Sequence, residues 1–131
     1  MENLRKSFIV DEKQYERERI PSQVRRVLRY CKVSKEGKVL LEKNSFTHRD
    51  NLKLILVARF LASKLDPSIK EEVSIDELLS SMGKNNRDSL ITRMKEIVDA
   101  GIAKRPSQGL YSIIPYYVDS ILDKLDTKTR R

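Results

Sequence analysis

Residues 73–114 read VSIDELLSSMGKNNRDSLITRMKEIVDAGIAKRPSQGLYSII. Ser74 stands three residues before Glu77, the spacing at which a helix start caps itself reciprocally. Ile75, Leu78 and Leu79 supply the apolar side of that helix, and Gly83 suits the left-handed residue that closes it. Asn85 or Asn86 then caps a second helix whose inner stripe is Leu90, Met94, Ile97 and Val98. Gly101 stops it. From Ile102 the apolar period shifts toward two, and the runs IAKR and LYSII flank Pro106-Ser107-Gln108-Gly109, a tight hairpin turn.

Upstream, THRDNLKLILVARFLASKLD (47–66) starts with Thr47 as N-cap and Asp50 three residues on. Leu52, Ile55, Leu56, Arg59, Phe60 and Ala62 share the helix with Leu54, Val57, Leu61 and Leu65, so it is apolar on more than one side. Such a helix is central, with neighbours all round. Asp66-Pro67 ends it. Further back, Val24, Val27, Leu28 and Cys31 fall at helical spacing, with Pro21 suited to a first turn. Leu28 to Lys43 read as a hairpin turning at Gly37. Residues 1–20 alternate in charge, and two readings stay open for them, a disordered arm or a peripheral helix. Downstream, Pro115 breaks the second strand. A last helix from Tyr116 carries Val118, Ile121, Leu122 and Leu125 on one side, and the tail from Thr127 to Arg131 is polar and basic. The organisation expected is a basic extension with a hairpin (1–46), a central domain (47–115) and a C-terminal helix and tail (116–131).

A chain of 131 residues suits one domain. The formal charge of +8 favours a polyanionic partner. That charge is segregated. Arg25, Arg26, Arg29, Lys32 and Lys35 crowd residues 21–35 with no acid, whereas Asp66, Glu71, Glu72, Asp76 and Glu77 crowd residues 66–80. The basic run reads either as added phosphate contacts or as a solvated face. The acids collect at a helix start, where its dipole favours them, and mark a face turned away from a polyanionic partner. The lone Cys31 excludes an internal disulfide and suits a reducing cytoplasm. One histidine, His48, no metal-ligand spacing and no glycine-rich phosphate loop leave no catalytic constellation, so neither an enzyme nor a cofactor is expected. No apolar run approaches the ~20 residues of a membrane helix, and MENLRKSFIVDEKQYERER has no signal-peptide core. The absence of Trp argues against a stacking platform for single strands.

The order helix, short strand, helix, turn, helix, two-stranded hairpin resembles the winged helix-turn-helix superfamily over residues 47–114. SLITRMKEIVDAGIAKR (89–105) is similar to that family's recognition helix running into its wing, and Leu110-Tyr111-Ser112-Ile113 to its returning strand. The resemblance implies a mainly α fold with a small β-hairpin wing (α+β), an N-terminal extension and a C-terminal helix. It implies a double-stranded DNA-binding protein, a transcriptional regulator, with residues 86–99 in the major groove and the wing 102–114 on the backbone. The residues it nominates are Lys84, Asn85, Asn86, Arg87, Ser89, Thr92 and Arg93 on the helix, where Arg suits guanine and Asn suits adenine. Lys104, Arg105 and Gln108 on the wing are nominated for phosphates. The plainer readings are a capping Asn and a charged edge strand that deters sheet pairing. The wing is short, and Ile91 occupies a place where the family often has a small polar group, which implies few base-reading side chains. The Val118, Ile121, Leu122, Leu125 stripe has two readings, core if packed on the central helix or the interface of a two-fold homodimer if packed on its copy, and the homodimer is the one expected. No membrane and no small-molecule effector is implied. Two other uses of the fold fit, a protein-interaction adaptor and a nonspecific chromatin-type binder. The six basic and three acidic residues from Lys84 to Gly109 favour DNA.

Overall fold

The computed structural model describes residues 1–83 and 86–129. In chain order these form α1 (Glu2–Phe8), α2 (Glu12–Val27), β1 (Cys31–Val33), β2 (Val39–Leu41) and α3 (His48–Leu65). There follow β3 (Val73–Ser74), α4 (Ile75–Met82), α5 (Arg87–Asp99), β4 (Ala103–Ser107), β5 (Leu110–Ile113), a 3-10 turn (Pro115–Tyr117) and α6 (Val118–Thr129). The fold of the described residues is therefore mainly helical α+β, with six α-helices and two small antiparallel sheets.

Local chemistry sets the element ends. Thr47 Oγ1 accepts from the Asp50 N–H at 3.1 Å and starts α3. At α4 the Ser74 hydroxyl accepts from the Glu77 N–H while the Glu77 carboxylate accepts from the Ser74 N–H, both at 3.2 Å, a complete reciprocal cap. Gly83 then takes φ +67° and closes α4. In α3, Leu52 and the unbroken run Leu54 to Leu61 are buried, because α2, α4, α6 and β5 all pack around this helix. Burial on every side explains why α3 is apolar beyond a single stripe.

Three elements differ from the reading of the sequence. α2 starts at Glu12, not at Pro21, because Asp11 accepts from the Gln14 N–H at 3.0 Å and nucleates the helix a turn and more earlier. Pro21 sits inside it, and the stripe Ile20, Gln23 and Val27, buried against the body, holds the helix together across the proline. From Ile20 onward the N-terminal segment thus joins the common core, with Tyr30, Cys31 and Val39 of the β1–β2 region. Of the two readings for residues 1–20, the helical one holds, and α1 buries no residue.

The hairpin also turns later than expected, at Gln108-Gly109, with Gly109 at φ +76° and Ser107 paired with Leu110. Pro106 lies in β4. The sheet order β3-β5-β4 makes β4 an edge strand, where a missing N–H removes no ladder bond, and the register shifts between Lys104 and Ser107.

The third difference is at α6. Val118, Ile121, Leu122 and Leu125 are all buried within the chain, where α6 packs on α2 and α3. The stripe assigned to a two-fold interface is already covered, so it is not a dimer surface.

Candidate nucleic-acid interface

Asn86 caps α5, its Oδ1 accepting from the Ser89 N–H at 3.0 Å. With Leu90, Met94 and Ile97 buried, the helix turns Asp88, Ile91, Thr92 and Lys95 toward solvent. Gly101, at φ +80°, then reverses the chain into β4. The hairpin therefore follows α5 after a short turn, residues 100–102.

The residues nominated from the sequence fall into two groups. Those on α5 are largely occupied within the chain. Arg87 is exposed but forms an ion pair with Asp76 at 2.6 Å. Arg93 and Ser89 are half-buried and hydrogen-bonded to each other. The Thr92 hydroxyl donates to the Asp88 carbonyl at 3.0 Å, and the Asn86 oxygen is the cap. Lys84 and Asn85 lie outside the described residues. The wing group is different. Lys104, Arg105 and Gln108 are exposed, and none has a side-chain hydrogen bond or ion pair among the described residues. Asn86, Ser89 and Arg93 share an open groove of about 260 Å³ with His48 and Met82, so the start of α3 stands directly beside α5.

The basic run 21–35 also divides. Arg26 meets Asp123 at 2.6 Å and Asp126 at 2.9 Å, and Arg29 lies 3.8 Å from Asp126. Arg19 pairs with Asp119, and the Gln23 amide donates to Asp119 at 3.1 Å. These contacts clasp α2 to the acidic side of α6. Burial works against the Arg26 charge, but hydrogen bonds and attraction from Asp123 and Asp126 outweigh it and raise its pKa. Burial pulls the Asp126 carboxyl up, and the Tyr30 hydroxyl with the Arg26 and Arg29 guanidinium groups pulls it further down, below the usual carboxylate value. Arg26 is thus structural, whereas Arg29, its side chain 67% exposed, adds only one long contact. Arg25, Lys32 and Lys35 remain exposed with no ion pair among the described residues.

Two groupings escaped the sequence reading. Arg59, named there only among the residues of the central helix, is buried and donates to the Lys70 carbonyl at 2.6 Å and the Gly37 carbonyl at 3.1 Å. It also pairs with Glu77. One guanidinium thereby ties the β1–β2 turn, the loop before β3 and the start of α4 to α3. A cation on the apolar face of a capped helix was the available signal. The other grouping joins cations of α3 and α6, four residues apart on each helix.

Among the described residues, no three His, Cys, Asp or Glu side chains are grouped to hold a metal ion, and no helix is long and apolar enough to cross a membrane. Compared with protein-family models, curated proteins and solved structures, the chain matches none.

Proposed function

We propose that the chain is a winged helix-turn-helix protein that binds double-stranded DNA, with the start of α5 toward the major groove and the β4–β5 hairpin along the phosphate backbone. Its role on this reading is transcriptional regulation in the cytoplasm, the compartment that suits a lone buried thiol. The observation that carries the proposal is the hairpin itself: an exposed edge strand bearing Lys104 and Arg105, which have no side-chain partner among the described residues, starting a short turn after α5. Because Arg87, Arg93, Asn86 and Thr92 are engaged within the chain and Ile91 is apolar, backbone contacts outweigh base reading, and sequence preference is weak. A gel shift with random duplexes at two salt concentrations tests this. Affinity falls steeply with salt, and replacing Lys104 and Arg105 by Ala flattens the dependence by ~0.9 for each phosphate no longer neutralised. Folded protein that binds no duplex at low salt removes the proposal.

A second reading, a protein-interaction adaptor, is favoured by one observation: Leu4, Phe8 and Ile9 of the N-terminal arm are 68%, 89% and 68% exposed. A homodimer would also use this arm, since the α6 stripe is covered. Sedimentation of the wild type against Phe8→Asp decides whether it does, because a self-association through the arm is lost in the variant.

A further inference from the structure

α6 carries two kinds of charge on two flanks. Toward α2 it presents Asp119, Asp123 and Asp126, which meet Arg19, Arg26 and Arg29, so that cluster is neutral within itself. The other flank presents Lys124 and Lys128, one helical turn apart and therefore on one face. Lys128 pairs with Asp50, which brings this face against the first turns of α3, where Arg49 and Lys53 are likewise one turn apart. Arg49 in turn reaches Glu96 of α5 at 2.5 Å. The result is four cations sharing two carboxylates, Asp50 and Glu96, beside the flank of α5.

The balance is unfavourable to the cations as they stand. Lys53 and Lys124 have no ion pair among the described residues. Burial disfavours the Lys53 ammonium; Asp50 opposes that, but Lys124, Arg49 and Lys128 add repulsion, and its pKa is lowered. An anion placed here relieves repulsion left uncompensated among the described residues, whereas the α2–α6 cluster has no such deficit. A membrane surface is the poorer occupant. A helix lying on lipid needs an exposed apolar face, and the apolar face of α6 is buried.

We infer that Arg49, Lys53, Lys124 and Lys128 form a second contact with the phosphate backbone of duplex DNA, flanking α5 and separate from the β4–β5 hairpin. The inference rests on the duplex-binding reading above and extends its footprint to α3 and α6. Lysine supplies the compact point charges such a sequence-independent contact needs.

The test is Lys53→Gln/Lys124→Gln beside Lys104→Gln/Arg105→Gln and wild type, with random-sequence duplex at two salt concentrations. If each lysine meets one phosphate, the first variant loses about 12-fold less affinity than wild type between about 50 and about 200 mM salt. An unchanged salt dependence in that variant, while the hairpin variant flattens, overturns the inference and leaves duplex binding standing. No duplex binding by wild type at low salt removes both. Wild type that binds phosphatidylserine vesicles through these lysines, and no duplex, assigns the cluster to a membrane surface and overturns the inference. Reductive methylation of the wild type gives a readout independent of how the variants fold: duplex should protect Lys53 and Lys124, and equal labelling with and without duplex refutes the contact.

Discussion

Replacing Arg59 by Met should destabilise the fold by about 3 kcal/mol. Met keeps most of the aliphatic stem, so packing is largely retained and the change isolates the polar contacts. Arg59 is 6% exposed, and its guanidinium is the donor to the Lys70 and Gly37 carbonyls. Hydrogen bonds from a charged donor contribute about 1.5–3 kcal/mol each, and an acceptor left buried loses its water as well. The two carbonyls therefore account for about 3–6 kcal/mol, and the lower figure applies because the Lys70 contact is only partly buried. Glu77 adds little, since its side chain is 40% exposed and can rehydrate; its share is at most about 1 kcal/mol. Against a total of about 5–15 kcal/mol, a loss of this size is severe. Urea unfolding followed by circular dichroism reads it as a midpoint lower by about 1–3 M for slopes of about 1–3 kcal/mol/M. Glu77→Gln should move the midpoint much less. Gly37→Ala should be damaging for a related reason: Gly37 has φ +94°, and a Cβ there would stand 3.3 Å from Arg59 Nε. If Arg59→Met falls within about 0.5 kcal/mol of wild type, the size expected of an ordinary surface substitution, the three-way tie is not what holds the turn to α3.

Leu125→Asp should unfold the protein and not yield a folded monomer, because Leu125 is 1% exposed within the chain; a folded, monomeric variant in sedimentation would return the stripe to an interface. Leu122→Ala, at a fully buried site, should cost about 2–5 kcal/mol in the same urea assay. The depressed Asp126 carboxyl contributes stability above the ordinary carboxylate value of about 3.9, and this is lost as pH falls through its lower folded value. Asp126→Asn should therefore lower stability at neutral pH and leave a shallower acid limb; an acid limb identical to wild type contradicts the clasp. Burial, with Glu42 nearby, pushes the Cys31 thiol up to about 12. Thiol reagents at pH near 8 should thus label Cys31 only on unfolding, and rapid labelling of native protein would show the β1 region open.

Where α3, α4 and α5 start and stop was legible from short-range chemistry, whereas the cap at Asp11 and the turn at Gln108-Gly109 were not read. Thr47, the Ser74–Glu77 pair, Asn86, Gly83 and Gly101 act on backbone groups at most a few residues away, so their effect is written in local spacing. The apolar periods of α3, α4 and α5 likewise announced which sides would be covered. What covers them is another matter, because an amphipathic face states a need for burial and not its partner. The α6 stripe reads the same whether it meets α2 and α3 or a second copy, and only the path of the chain chose the first. Charge behaves similarly. Arg26 was visible as a cation in a basic run, but its neutralisation by Asp123 and Asp126, nearly a hundred residues on, exists only once α6 lies along α2. The same placement sets Lys124 and Lys128 against Arg49 and Lys53, since electrostatic energy depends on distance in space, and distance in space is decided by the packing of helices far apart in sequence.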